Sequence, residues 1–304
     1  MSDFASGFWE YYVGIITVVS VLACAVLLWS MSARRVPGGP TTGHTWDEDL
    51  GELNHPLPRW WIWLFTVTIA FSLIYLVLYP GLGSYAGSYR WTSTGQYEAE
   101  VKQANEQYGP LYEKYAAQDL KQVAADPKAR AIGQRLFLNY CAQCHASDGG
   151  GSRGFPNLTD RDWLYGGEPE TIKASILNGR NGIMPPLGAA LGEEGTKDVA
   201  HYVLSLSRLK SDPVRAARGK EKFAVCAACH GADGKGNRQL GAPDLTDQIW
   251  LHGSSEAAII ETIAKGRNSV MPAHKDFLGE PKVHILAAYV YSLSNPQPVV
   301  SSAR

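Results

Sequence analysis

Residues 141–145 read CAQCH, and residues 226–230 read CAACH. Cys-X-X-Cys-His is the attachment signature of c-type haem. The spacing has a physical basis. Two thiols three positions apart sit on one side of a helical turn, where each reaches one vinyl group as a thioether. The adjacent histidine then turns its ring towards the iron. Cys141, Cys144 and His145 are therefore expected to hold one haem, and Cys226, Cys229 and His230 a second, both covalently attached.

Outward from these motifs the chain repeats itself. PNL at 156–158 returns as PDL at 243–245, and GRNGIMPP at 179–186 returns as GRNSVMPAH at 266–274. HYVLSLS at 201–207 returns as AYVYSLS at 288–294, with two extra residues between the cysteines and the methionine of the second copy. The repeats are read as residues 133–210 and 211–296, with a tail at 297–304. Each reads as mostly helical. Ile132, Leu136, Phe137 and Tyr140 form an apolar face ahead of the first cysteine pair. Val199, Tyr202, Val203 and Leu206 close the first copy at helical spacing, and Val283, Leu286, Ala287, Val290 and Leu293 close the second. Gly- and Pro-rich loops lie between. A unit this small has a marginal core and needs a staple, which points again to a cofactor.

The chain has four methionines. Met1 opens it and Met31 lies in an apolar run. Met184 and Met271 occupy matching places in the repeats, each followed by a proline that stiffens the loop presenting the sulfur. They are expected as the distal iron ligands, Met184 in the first repeat and Met271 in the second. Paired Met and His ligation raises the haem potential, suits electron transfer and leaves no open position for oxygen or peroxide. A ligating histidine normally donates its other ring N–H. The carbonyls of Pro156 and Pro243 are candidate acceptors for His145 and His230. Arg180, Arg267, Trp163 and Trp250 are candidates to contact the haem propionates, or they simply pack.

Other readings of these residues are weaker. One four-thiolate zinc site leaves both histidines and both methionines unexplained. A thioredoxin-type pair needs a βαβ context that is absent. His201, His252, His274 and His284 are alternative axial ligands. His274 is the chief competitor of Met271, but its counterpart in the first repeat is Leu187.

The N-terminal part differs in kind. Tyr11–Met31 and Trp60–Tyr79 carry no charged residue, and each spans about 30 Å as a helix, the thickness of a bilayer core. Trp9, Tyr11, Tyr12 and Trp29 flank the first run, and Trp60, Trp61, Trp63 and Tyr79 the second, as in an interfacial aromatic belt. The first run follows Asp3 and Glu10 rather than a basic stretch, and it is too long for a cleavable signal peptide. Arg34, Arg35 and Arg59 lie near the span ends in one loop, so residues 32–59 are expected to be cytoplasmic. The N-terminus and everything after Tyr79 then face the periplasm, where haem is attached to such motifs. Residues 1–80 form the membrane anchor. Residues 81–132 read as a helical connector interrupted near Gly109-Pro110. Cys24 reads as a small buried apolar residue, and His44 and His55 as solvated.

Composition agrees. Of 304 residues, 45% are hydrophobic and only 19% charged, with net charge −1. That excludes disorder and argues against nucleic-acid binding. Five cysteines are too few for a disulfide scaffold of this length. The charge deficit is largely that of the membrane spans.

The repeats, each with CXXCH and a later Met-Pro, resemble class I cytochrome c domains. The loop TTGHTWDEDLGELNHPLPRWW at 41–61, followed at once by a span, is similar to that of the membrane-anchored dihaem cytochrome c subunits of cbb3-type cytochrome c oxidases. The resemblance implies a mainly α fold of two N-terminal transmembrane helices and two tandem class I cytochrome c domains. It implies a multi-pass protein of the bacterial inner membrane. It implies an electron relay that takes electrons from soluble periplasmic cytochrome c and passes them to a monohaem cytochrome subunit. Oxygen reduction and proton translocation would belong to a separate large subunit, since this chain shows no oxygen-reducing centre. Two other functions compete: a cytochrome subunit of a periplasmic dehydrogenase, and a dihaem peroxidase.

Overall fold

The computed structural model describes residues 6–33, 41–53 and 56–295. Arg34, Arg35, His55 and the expected tail at 297–304 lie outside the described residues. The chain divides into two compact units, Met1–Glu106 and Gln107–Arg304.

In the first unit, helix α1 (Gly7–Ala33) and, after a hairpin of β1 (Thr41–Trp46) and β2 (Leu50–Leu53), helix α2 (Arg59–Leu78) pack on each other. Both helices are long and apolar enough to cross a membrane, and almost none of their side chains is covered by protein. An apolar surface bare all round suits lipid, not water. Cys24 lies on this bare surface rather than buried within the protein. The expected loop thus contains a hairpin. Asp47 and Glu48 both take positive φ in its three-residue turn. His44 is exposed, with its ring 4.7 Å from that of Trp46.

The connector forms α3 (Ser93–Ala116) and α4 (Leu120–Ala125). The expected interruption at Gly109-Pro110 is absent, and α3 runs through Pro110. Proline removes one backbone donor. Glu106, four residues earlier, is exposed, so water can take the place of that donor at its carbonyl.

The second unit continues with α5 (Pro127–Tyr140), α6 (Ala142–His145), α7 (Pro169–Asn178), β3 (Arg180–Met184) and α8 (Gly188–Leu206). It ends with α9 (Pro213–Lys222), α10 (Ala224–His230), α11 (Glu256–Lys265), β4 (Arg267–Met271), α12 (Lys275–Leu278) and α13 (Glu280–Ser294). The starts are chemically marked. Asp119, Asp126 and Asp212 cap α4, α5 and α9 by accepting from backbone N–H groups of the first turn, and Pro127 and Pro213 follow their caps.

Packing crosses between the repeats. Helix α13 of the second repeat packs on α5 and α7 of the first, while α8 of the first packs on α9 and α11 of the second. The first core joins Leu120, Val123, Phe137, Ile172 and Ile176 to Val283, Leu286 and Val290. The second joins Val199 and Val203 to Phe223, Cys226, Ile259 and Ile263. The sequence periodicities therefore identify the buried faces, except that Tyr140 is exposed. The partners those faces meet belong to the other repeat. Strands β3 and β4 form an antiparallel ribbon joining the repeats, with Arg180 opposite Met271 and Met184 opposite Arg267.

Candidate functional site

Both CXXCH motifs sit on short helices entered from a longer one. Helix α5 leads through Cys141 into α6, and α9 leads through Phe223 into α10. No cysteine is disulfide-bonded; Cys141 is half-buried, Cys226 is buried, and Cys144 and Cys229 are exposed. Burial pushes the Cys141 thiol up to about 11 and raises that of Cys226 as well. Cys141 packs with the first core and Cys226 lies in the second, so the two pairs do not meet as one four-thiolate site.

The histidines are held alike. Nδ1 of His145 is 3.0 Å from the Pro156 carbonyl, and Nδ1 of His230 is 3.1 Å from that of Pro243. A carbonyl only accepts, so Nδ1 carries the proton in both rings and Nε2 keeps its lone pair for a metal. Burial also pulls His145 below the ordinary histidine value, which keeps it neutral.

The remaining candidates recur in matched positions. On β3, Arg180, Gly182 and Met184 are half-buried while Asn181 and Ile183 are exposed; β4 repeats the alternation with Arg267, Ser269 and Met271 half-buried. The ribbon therefore turns both arginines and both methionines to one face. Arg180 donates to Ser175 Oγ at 2.9 Å and lies 4.5 Å from the ring centroid of Tyr165. Arg267 donates to Thr262 Oγ1 at 2.7 and 3.0 Å. Arg180 has no carboxylate partner among the described residues. Trp163 packs on the first core and Trp250 on the second, where its buried Nε1 has no hydrogen-bond partner. An orphaned buried donor and a guanidinium held by a hydroxyl suit an anionic group such as a propionate. The thiol pairs, the oriented imidazoles and the apolar cores fit c-type haem.

Two expectations change. Met184 packs on the second core and Met271 on the first, each away from the CXXCH motif of its own repeat. Two alternative ligands are engaged elsewhere. His201 Nδ1 accepts from the backbone N–H of Asp212 at 3.1 Å, and His284 Nε2 donates to the Gln118 carbonyl at 3.0 Å. His274 Nδ1 is buried without a partner. His252 is half-buried, and its carbonyl accepts from Arg153 Nε at 3.1 Å.

Tyr165, Ser175 and Thr262 were not singled out by sequence. The signal was available for the latter two, since a hydroxyl residue precedes each GRN by the same interval. Where the repeats meet, burial and the charges of Asp247, Asp160 and Asp244 raise the Asp162 carboxyl above its usual range.

The chain is similar to known proteins. Residues 38–86 match the family described as the N-terminal domain of cytochrome oxidase-cbb3, FixP. Residues 128–203 and 215–290 each match cytochrome c oxidase, cbb3-type, subunit III. The cbb3-type cytochrome c oxidase subunit CcoP of Rubrivivax gelatinosus is 54% identical over 99% of this chain and 100% of its own. The subunit FixP of Sinorhizobium medicae is 40% identical, covering 85% of this chain and 95% of its own. CcoP of Rhodobacter capsulatus is 38% identical over 84% and 96%.

Proposed function

The chain belongs to the family of cbb3-type cytochrome c oxidase subunit III, and on that premise we propose that it relays electrons through two covalently bound c-type haems. It is a subunit of the oxidase complex, and the relay is its part in the complex's oxidoreductase activity. The observation that carries the two-site reading is the pair of tautomer-fixed histidines, each beside an unbridged CXXC pair.

Bound c-type haem supplies the one-electron ferric–ferrous couple. The residues of this chain do the rest. Cys141 with Cys144, and Cys226 with Cys229, fix the group covalently. His145 and His230 present Nε2 as proximal ligands while the Pro156 and Pro243 carbonyls hold their rings. Met184 and Met271 would supply the thioether ligands to the iron. Arg180 and Arg267 would offset the charge of the propionates, and the Trp163 and Trp250 indoles would donate hydrogen bonds to them. The apolar cores exclude water from both sites.

Residues 1–80 anchor the chain, 81–132 connect, and repeats 133–210 and 211–296 carry the haems. Both apolar helices cross the bacterial inner membrane. Residues 32–59 are cytoplasmic, and the N-terminus and the haem repeats are periplasmic. Arg59, at the start of α2, supports this orientation. The donor is soluble periplasmic cytochrome c. The acceptor is a monohaem cytochrome subunit, and a large subunit reduces oxygen.

Intact-mass measurement of the chain from the detergent-purified complex tests the reading. Two haem adducts are expected, one of them lost in Cys141→Ser/Cys144→Ser and the other in Cys226→Ser/Cys229→Ser. A single adduct in the unmodified chain overturns the two-haem assignment. Co-purification with dehydrogenase polypeptides, and without an oxygen-reducing subunit, overturns the oxidase role.

A further inference from the structure

We infer that the hairpin of β1 and β2 is a docking surface for another subunit of the oxidase, whose facing patch is apolar at its centre and rimmed by lysine or arginine. This rests on the reading of residues 32–59 as cytoplasmic and goes beyond it by giving that segment a partner.

Three observations carry it. The first is a bare apolar face. Trp46 and Leu50 are cross-strand partners and so stand on one side of the hairpin. The His44 ring, 4.7 Å from that of Trp46, extends this side, and Thr42 Oγ1 donates to Glu52 Oε2 at 3.1 Å further along it. Trp46 is 62% exposed and Leu50 64%. Every residue of both strands is exposed, so among the described residues neither face is covered. A two-stranded hairpin alone in water is at best marginally stable and needs a layer packed on its apolar side. An indole beside a leucine is the kind of anchor on which binding energy concentrates.

The second is charge. Asp47, Glu48 and Asp49 make up the turn, and Glu52 lies on the side of Trp46. None of these carboxylates is in an ion pair among the described residues. The charge selects the occupant. A second copy would set the same acids against each other, and like charges facing across an interface suppress association. The cytoplasmic leaflet, with its anionic lipid, repels them too. An integral membrane subunit instead concentrates lysine and arginine in its cytoplasmic loops, close to the ends of its spans.

The third is placement. Strand β2 ends at Leu53 and the apolar helix α2 begins at Arg59, a link that reaches about 20 Å at full stretch. The hairpin is therefore tethered at the membrane surface, where such basic loops lie. The chain is a subunit of the oxidase complex, so a partner of this kind belongs to its own assembly.

The test uses the full chain in native membranes. Photolysis of Trp46→p-benzoylphenylalanine, followed by mass spectrometry, is expected to give an adduct with another oxidase subunit, at a peptide containing lysine or arginine. An adduct with a second copy or with lipid, or no adduct, overturns the docking surface. Adding Asp47→Lys/Glu48→Lys/Asp49→Lys should lower the adduct yield at least fivefold with haem content unchanged, and an unchanged yield overturns the basic rim. The added lysines reinforce a cytoplasmic loop, so a lost adduct does not reflect inversion. If that chain fails to assemble, Trp46→Ala/Leu50→Ala keeps every charge, and a lower ratio of this chain to the complex after detergent purification is expected; an unchanged ratio overturns the anchor. Thr45 lies on the opposite side of the hairpin from Trp46. Thr45→Cys should react with a membrane-impermeant maleimide in inverted vesicles only. Labelling in spheroplasts overturns the cytoplasmic reading and with it the basic rim. Labelling in inverted vesicles without a subunit adduct at Trp46 overturns the docking surface and leaves the topology standing.

Discussion

Asp198 is 2% exposed and holds together two crossing helices. Its carboxylate accepts from Arg218 at 2.9 and 3.1 Å and from Lys222 at 2.7 Å, and these bonds hold its carboxyl far below the usual range. A group with a depressed folded pKa stabilises the fold above its unfolded value and loses that contribution in acid. Thermal stability should therefore fall as pH drops below about 4, the ordinary aspartate value, and Asp198→Asn should flatten that slope. The same variant should lose about 3 kcal/mol at neutral pH, the low end for breaking a buried ion pair, because Arg218 is half-exposed and can reach water. Trp250 gives a second residue-scale test. If its orphaned Nε1 serves a propionate, Trp250→Phe removes a donor from an anion, and the midpoint potential of the second site should fall in a redox titration with haem content unchanged. An unmoved potential would show that the indole only packs. The proposed ligand residues were legible in sequence because thiols, imidazoles and thioethers have few other reasons to recur at fixed intervals. Tyr165 was not, since its place beneath Arg180 depends on how distant loops fold back.

Elements were legible where a local rule governs them. The two apolar helices, the buried faces of α5, α8 and α13 and the chain ahead of each CXXCH all follow from periodicity and length. The hairpin at 41–53 escaped notice because every residue in it is exposed and shows no alternation. The passage of α3 through Pro110 escaped because a proline read locally predicts a break, and only exposure of the preceding turn makes it tolerable. At the crossings, Gly219 and Gly133 set the spacing of α9 on α8 and of α5 on α13. Gly219→Ala forces a methyl against backbone and should cost roughly 1–3 kcal/mol in urea unfolding. Gly133→Ala meets Tyr289 Cβ, which moves only with the α13 backbone, so its cost should be similar.

At the scale of the molecule, sequence patterns could not report that packing crosses between the repeats. Both copies carry equivalent residues at equivalent contacts, so a helix face from either copy fits the same groove. Which copy fills it is decided by the length of the connection between them, as in other swapped assemblies. The crossing makes a prediction that runs against the order of the repeats. The residues of the second core, from Met184 to Ile263, form one continuous stretch, whereas the first core draws on α4 to α7 and on α12 and α13. Truncation after Gly266 should therefore spare haem absorption at the site of His230 and weaken it at the site of His145. Visible spectroscopy of the truncated chain, paired with each cysteine-pair variant, reads the two sites separately.

The short link between α8 and α9 also sets an order of events in time. A chain made from its N-terminus brings out Cys141 and Cys144 before Cys226 and Cys229, yet their pocket lacks a wall until residues 271–294 have been synthesised. The second pocket has all its parts by Ile263 and can close sooner. Of the two CXXCH pairs, the earlier to appear is thus the later to be enclosed, which leaves its thiols open while the second repeat is being made.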